Sequence, residues 1–164
     1  MGEKLFHVMV VCTGNICRSP IGEGLLTHRL RDLPVLVDSA GTAAPEGVPA
    51  SQHGVDVCAE RGLDISKHRS RLLTRTLLGD VDLVLVMEPY HQMEILTMAP
   101  DLADRVFIIT EFVGEGDEGV GDPIGAGRYA YEETYAILER LTEKADPLIR
   151  EMVNAKTQAG ETHS

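Results

Sequence analysis

Leu5-Phe6-His7-Val8-Met9-Val10-Val11-Cys12-Thr13-Gly14-Asn15-Ile16-Cys17-Arg18-Ser19-Pro20 is the stretch that decides the fold. Its first half is a near-continuous apolar run, the pattern of a parallel strand covered on both faces. A loop holding Gly14 and Asn15 follows, and then Ser19 and Pro20, residue types suited to a helix N-cap and to the first helical position. The order predicts a strand, a tight loop and a helix over about residues 20–31. In that arrangement the loop's backbone N–H groups and the positive end of the helix converge on one point, which attracts an oxyanion.

The strand pattern recurs at residues 82–87, and in shorter form at 35–37 and 106–109. Helical patterns lie between, at about 52–61 and 89–98. The longest runs over about 128–153, where Tyr131, Tyr135, Leu138, Leu141 and Ile149 recur mostly at three- and four-residue intervals. Strands alternating with helices predict an α/β fold, a doubly wound four-stranded parallel sheet with helices on both faces. Ligands of such sheets bind beyond the C-terminal strand ends, and the first of these is Val11. Residues 1–154 read as one domain and 155–164 as a polar tail expected to fray. Residues 110–127 form a longer loop than most connections, a kind that is often functional. Gly114-Glu115-Gly116-Asp117-Glu118-Gly119 inside it matches GxGxxG by letter. Its acidic residues would face a pyrophosphate and no helical pattern starts at its last glycine, so it is not read as a nucleotide site.

Composition narrows the function. Apolar residues make up 43% of the 164 but form no run of the length, about 18 residues, that a membrane span needs. With 26 acidic against 15 basic residues the formal net charge is -11, which repels polyanions and argues against non-specific nucleic-acid binding. The run 4–11 is short, contains His7 and leads into Cys12-Thr13-Gly14 instead of a small-residue cleavage site, so it reads as a core strand and not as a signal peptide. Three cysteines are an odd number and too few for a disulfide scaffold, so a reducing cytoplasm is the expectation. Six histidines contain no HExxH, and Cys12 and Cys17 lack a second ligand pair at zinc spacing. No metal and no cofactor is predicted.

Cys12 to Arg18 place a nucleophile and an anion cradle within seven residues. The helix end and Arg18 favour the thiolate form, and the planar guanidinium can hold two phosphate oxygens while Cys12 attacks phosphorus. An isolated pair of this kind is more ordinarily a small buried cysteine and a solvated arginine. The glycine, the cap and the strand-loop-helix context favour a site. Cys17, on the same tight loop, is placed to act as a resolving thiol if Cys12 is oxidised.

With these residues the chain resembles the low-molecular-weight protein tyrosine phosphatases, whose loop runs from Cys through five residues to Arg and then Ser or Thr. Residues 12–20 match that signature, and Asp122-Pro123 matches the family's late Asp-Pro element. Asp38-Ser39-Ala40-Gly41-Thr42 and His68-Arg69-Ser70-Arg71 resemble two further segments, and Val84-Leu85-Val86-Met87-Glu88 with His91 resembles a bacterial form of a third. The resemblance implies that Cys12 is the nucleophile. Arg18 and the loop residues Thr13, Gly14, Asn15, Ile16 and Cys17 then hold the phosphoryl group, while Asp122 is the general acid and later the base that hydrolyses a phosphocysteine. It also implies that Asn15, Ser19, Ser39 and His68 form a supporting network, and that the partner is a tyrosine-phosphorylated protein. Taken alone, Asp122 would read as one of a solvated acidic set with Glu111, Glu115, Asp117 and Glu118. His68 would read as a surface residue, and Tyr131 and Tyr135 as core.

The chain departs from the family in places. Ile124-Gly125 follows Asp-Pro, and Ala43-Ala44-Pro45-Glu46-Gly47 follows the second strand, at positions where the family often has aromatic walls for a phenyl ring. Related arginine phosphatases carry Thr where this chain has Ile16. Thiol-coupled arsenate reductases share the fold and a similar loop but need further cysteines after Met87, and only Cys58 is left over. A non-catalytic oxyanion-binding module would need neither nucleophile nor acid. Gly22 and Gly24, disfavoured inside a helix, predict close packing there.

Overall fold

The computed structural model describes residues 5–162. In chain order the elements are β1 (Phe6–Cys12), α1 (Arg18–Arg29), β2 (Val35–Gly41), α2 (Gln52–Glu60), α3 (Arg75–Leu78), β3 (Leu83–Val86) and α4 (Pro89–Met98). A 3-10 turn at Pro100–Leu102 then leads to β4 (Val106–Ile108), α5 (Ile109–Phe112) and α6 (Arg128–Thr162). The four strands form one parallel sheet in the order β2-β1-β3-β4, as the alternating pattern predicts.

Successive strand residues point to opposite faces. Val8, Val10, Leu83 and Leu85 share one core with Ile21, Leu26, Tyr131, Tyr135 and Leu138 from α1 and α6. Met9, Val11, Val84 and Val86 share the other with Leu78 and Ile95 from α3 and α4. The chain leaves β1 for β2 on one side and places β3 on the other. The C-terminal end of β1 is therefore the topological switch point, and the loop after Cys12 sits there.

Several boundaries differ from the sequence expectation. α1 begins at Arg18, with Cys17 at the N-cap and no side-chain cap bond. Ser19 is thus not the cap: its hydroxyl is taken up by Cys12 and Asn15. β2 runs on through Asp38 and Ser39 to Gly41, because backbone pairing with β1 carries it past the end of its apolar run. β4 stops at Ile108 and Ile109 already opens α5. α6 passes Pro147 and continues beyond Val153, so the segment expected to fray from 155 is helical as far as Thr162. Lys156 ties that end to Asp82 at 2.8 Å and lies over the Phe6 ring. Residues 163 and 164 of the predicted tail lie outside the described residues. At Gly22 and Gly24 a Cβ would come within 3.1 Å of Val10 and 3.0 Å of Ile65, the close packing that the glycines predict. Among the described residues no helix is long and apolar enough to cross a membrane.

Candidate active site

β1 ends on Cys12 and α1 starts on Arg18, so the five residues between them must turn within one short loop. Asn15 makes the turn with φ 56°, the one non-glycine residue of positive φ among those described. Its buried side chain accepts the Arg71 backbone N–H at 2.9 Å, which settles the orientation of the amide. The amide nitrogen then donates to Ser19 Oγ at 2.7 Å and Ser39 Oγ at 2.9 Å. The Ser19 hydroxyl also lies 3.0 Å from Cys12 Sγ, and toward a thiolate it can only donate. Ser39 likewise donates onward to Glu23 Oε1 at 2.6 Å, and His68 Nε2 donates to the Asn15 carbonyl at 2.6 Å. The residues expected to support the loop, Asn15, Ser19, Ser39 and His68, are thus brought together.

Glu23 was not anticipated. Burial raises its pKa, against the opposing influence of the Ser39 bond and nearby His68. The available signal was its position four residues after Ser19, on the same face of α1. Gly41 closes the loop from the β2 side. A Cβ there would collide with the Thr13 carbonyl oxygen and come 2.9 Å from the Asn15 nitrogen. Thr42 and Ala43 donate their backbone N–H groups to the Cys12 and Thr13 carbonyls at 3.0 and 2.9 Å.

The Arg18 side chain is 1% exposed. Nη1 donates to Glu88 Oε2 at 2.6 Å and to the Val120 carbonyl at 2.8 Å. Nη2 lies 3.4 Å from both Thr13 Oγ1 and Asp122 Oδ2. Nε is buried with no partner. A buried donor left unpaired pays its desolvation without return, so an orphan on a cation near the Cys12 sulfur marks a place suited to an oxyanion. Burial pulls the guanidinium pKa down, but the Glu88 bond, with Cys12 and Asp122 nearby, holds it above the ordinary value.

Asp122 reaches this arginine because its loop is fastened upstream. Gly119 donates to Thr110 Oγ1 at 3.0 Å, and Val120 donates to the Met87 carbonyl at 2.7 Å. Gly119 has φ 80°, and a Cβ there would collide with that same carbonyl. One Asp122 oxygen accepts the Ile124 N–H at 3.0 Å, leaving the other toward Arg18. Within the acidic loop Glu115 is ion-paired: Arg140 and Lys144 hold it, with its pKa pushed down to about 2. Asp117 and Glu118 are exposed.

The start of α4 completes the surroundings. The Glu88 N–H donates to His91 Nδ1 at 3.0 Å, so the ring proton sits on Nε2 and is donated to Thr13 Oγ1 at 2.9 Å. Burial first, then Arg18, bring the His91 pKa down to about 4, leaving the ring neutral near pH 7. The Tyr90 hydroxyl meets the same Thr13 oxygen. On the opposite core, Tyr131 is buried as expected, yet its hydroxyl also lies 3.3 Å from Cys17 Sγ and accepts from Ser51 at 2.9 Å. Burial raises the Cys17 pKa. All three cysteines are free, and burial pushes Cys58 up to about 12.

Residues 7–158 match the family model for low molecular weight phosphotyrosine protein phosphatase. The chain belongs to that family. Low molecular weight phosphatases are cysteine-dependent hydrolases, and the relatives cover nearly the whole fold. The Escherichia coli low molecular weight protein-tyrosine-phosphatase Etp is 36% identical over 141 residues, 86% of this chain and 93% of Etp. A protein-arginine-phosphatase of Geobacillus stearothermophilus is also 36% identical, over 85% of this chain and 95% of that protein. The crystal structure of a low molecular weight protein tyrosine phosphatase from T. tengcongensis is 40% identical, with a TM-score of 0.82 over 89% of this chain and 99% of that one.

Proposed function

We propose that this phosphatase hydrolyses phosphotyrosine on protein substrates through a phosphocysteine intermediate. The observation that carries the reading is the buried Arg18, its Nε unpaired, set in one loop with Cys12, whose sulfur lies 3.0 Å from the Ser19 hydroxyl. In the first step Cys12 Sγ attacks phosphorus, the bond to the phenolic oxygen breaks, and Asp122 gives that oxygen a proton. Arg18 and the loop N–H groups of residues 13–18 hold the equatorial oxygens and supply the charge stabilisation that a metal provides elsewhere. In the second step Asp122 takes a proton from water, which attacks phosphorus and releases phosphate and the Cys12 thiolate. Ser19 stabilises the sulfur as it leaves. A thiol relay of the arsenate-reductase kind is disfavoured because Cys58 is fully buried. The same reading takes residues 1–154 as one catalytic domain working in the cytoplasm, where its three cysteines stay reduced.

Ile16 supports tyrosine over arginine. Its side chain offers only apolar contact, which suits a phenyl ring and leaves a guanidinium nitrogen unpaired. Phosphoserine is too short to bring phosphorus to a thiolate at the base of a loop. Side-by-side kcat/KM values for phosphotyrosine, phosphoserine and phosphoarginine peptides test this. Phosphotyrosine is expected to lead, with Ile16→Thr shifting turnover toward phosphoarginine; equal rates on the two in the native enzyme refute the assignment. Cys12→Ser is expected to abolish turnover while still binding phosphate, and substantial activity in it would sink the covalent route.

A further inference from the structure

We propose that Tyr90 is a specificity-determining residue of this site, forming the aromatic wall against which the substrate's phenyl ring packs. The inference rests on the phosphotyrosine reading above. Among the described residues the large exposed aromatic side chains are Tyr90, 42% exposed, and Tyr129, 74% exposed. Of these, Tyr90 meets the anion loop, through Thr13 Oγ1. That oxygen lies 3.4 Å from Arg18 Nη2, and the same nitrogen lies 3.4 Å from Asp122 Oδ2. Tyr90 therefore stands two hydrogen bonds, through Thr13, from the guanidinium that would hold the phosphoryl group. Elsewhere, Ile124 beside Asp122 is apolar but not aromatic, and Ala43 and Ala44 are too small to wall a ring.

The hydrogen bonds also settle how Tyr90 is held. Thr13 Oγ1 accepts from His91 Nε2 and from Arg18 Nη2, and neither of those groups can accept in return. Both lone pairs of the threonine oxygen are then used, and its single proton goes to the Tyr90 oxygen. The phenol is anchored as an acceptor and keeps its own proton for solvent or substrate. Its backbone is equally constrained. Tyr90 is the second residue of α4, directly after Pro89, and Glu88 and His91 form a capping box around that helix start. Glu88 is bonded in turn to Arg18, and His91 to Thr13. A ring so fixed loses little freedom when a second ring packs on it, which favours recognition by contact.

Benzylphosphonate and methylphosphonate share the anionic head and differ in the ring, so their binding to native enzyme, Tyr90→Ala and Tyr90→Phe separates wall from anion loop. Tyr90→Ala is expected to weaken benzylphosphonate about three- to tenfold and to leave methylphosphonate within about twofold. Tyr90→Phe is expected to keep benzylphosphonate affinity within about twofold. In turnover, Tyr90→Ala should raise KM for a phosphotyrosine peptide by the same factor with kcat little changed. Equal losses of both phosphonates, with Phe as harmful as Ala, would show that Tyr90 acts through Thr13 on the loop and overturn the inference. Unchanged benzylphosphonate binding in Tyr90→Ala would overturn it too, even in an enzyme fully active on phosphotyrosine. Ring-dependent loss in an enzyme that prefers phosphoarginine would support the wall while the phosphotyrosine reading failed.

Discussion

Mild acid should destabilise this phosphatase through His91. The imidazole is fully buried, accepts the Glu88 N–H at Nδ1 and donates from Nε2 to Thr13. Protonation would put a second N–H on Nδ1, directly against that donor, and add a cation near Arg18. Glu88 and Asp122 offset part of this, yet burial and Arg18 win and bring the pKa from 6.5 to about 4. The folded value lies below the unfolded one, so the unfolded chain takes the proton first. The stabilisation is complete above pH 6.5 and is lost as pH falls toward 4. At about 1.36 kcal/mol for each pH unit, the loss is about 3 kcal/mol. That is a large part of the roughly 5–15 kcal/mol typical of a domain. Urea denaturation of native enzyme and His91→Gln between pH 8 and 4 isolates the effect, because the surface carboxylates titrate in both proteins. The native protein should lose about 3 kcal/mol more than the variant across that range. Parallel profiles, or an NMR titration of His91 centred near 6.5, would refute the reasoning.

Asp122→Asn should slow phosphotyrosine hydrolysis by about 10²-fold or more and p-nitrophenyl phosphate far less, because the second leaving group barely needs a proton. Equal losses on both substrates would indicate that Asp122 only orders its loop through Ile124 and Arg18. Mild peroxide should inactivate the enzyme reversibly by joining Cys12 to Cys17, and mass spectrometry should find that pair; sulfinic Cys12 with Cys17 still free counts against it. Gly41→Ala forces a methyl group onto the Thr13 carbonyl and should cost about 1–3 kcal/mol in a urea melt. The same variant should weaken inhibition by inorganic phosphate at least tenfold, and unaltered inhibition would show that the loop tolerates the displacement.

The strand, loop and helix from Phe6 to Arg29 were legible because each depends on neighbours in the chain: an apolar run, a glycine, and an asparagine able to turn left-handed. The parallel sheet followed from the alternation of such elements. Ser39 was harder, since a polar residue ends an apolar run; only pairing with Val10 and bonds to Asn15 and Glu23 keep it in a strand at the site. Ser19 has the residue type of a helix cap, and the sequence alone favours that use. The fold diverts it, because Asn15 occupies its oxygen and Cys12 lies within reach of its proton. His68 and Asp122 are polar residues in segments that look solvated, and Glu88 closes the apolar run of β3; all three lie far along the chain from the loop they meet. The sequence by itself determined the secondary elements, their parallel order and the chemistry carried by one seven-residue loop, all consequences of short-range sterics and periodicity. Asp122 and His68 were named by the resemblance alone, and only the tertiary structure brings them, with Glu88 and His91, to that loop. Burial, hydrogen bonding and ion pairing depend on distance in space, and the crossovers that bring β2, α4 and the Asp122 loop to the end of β1 are set by the packing of the whole sheet.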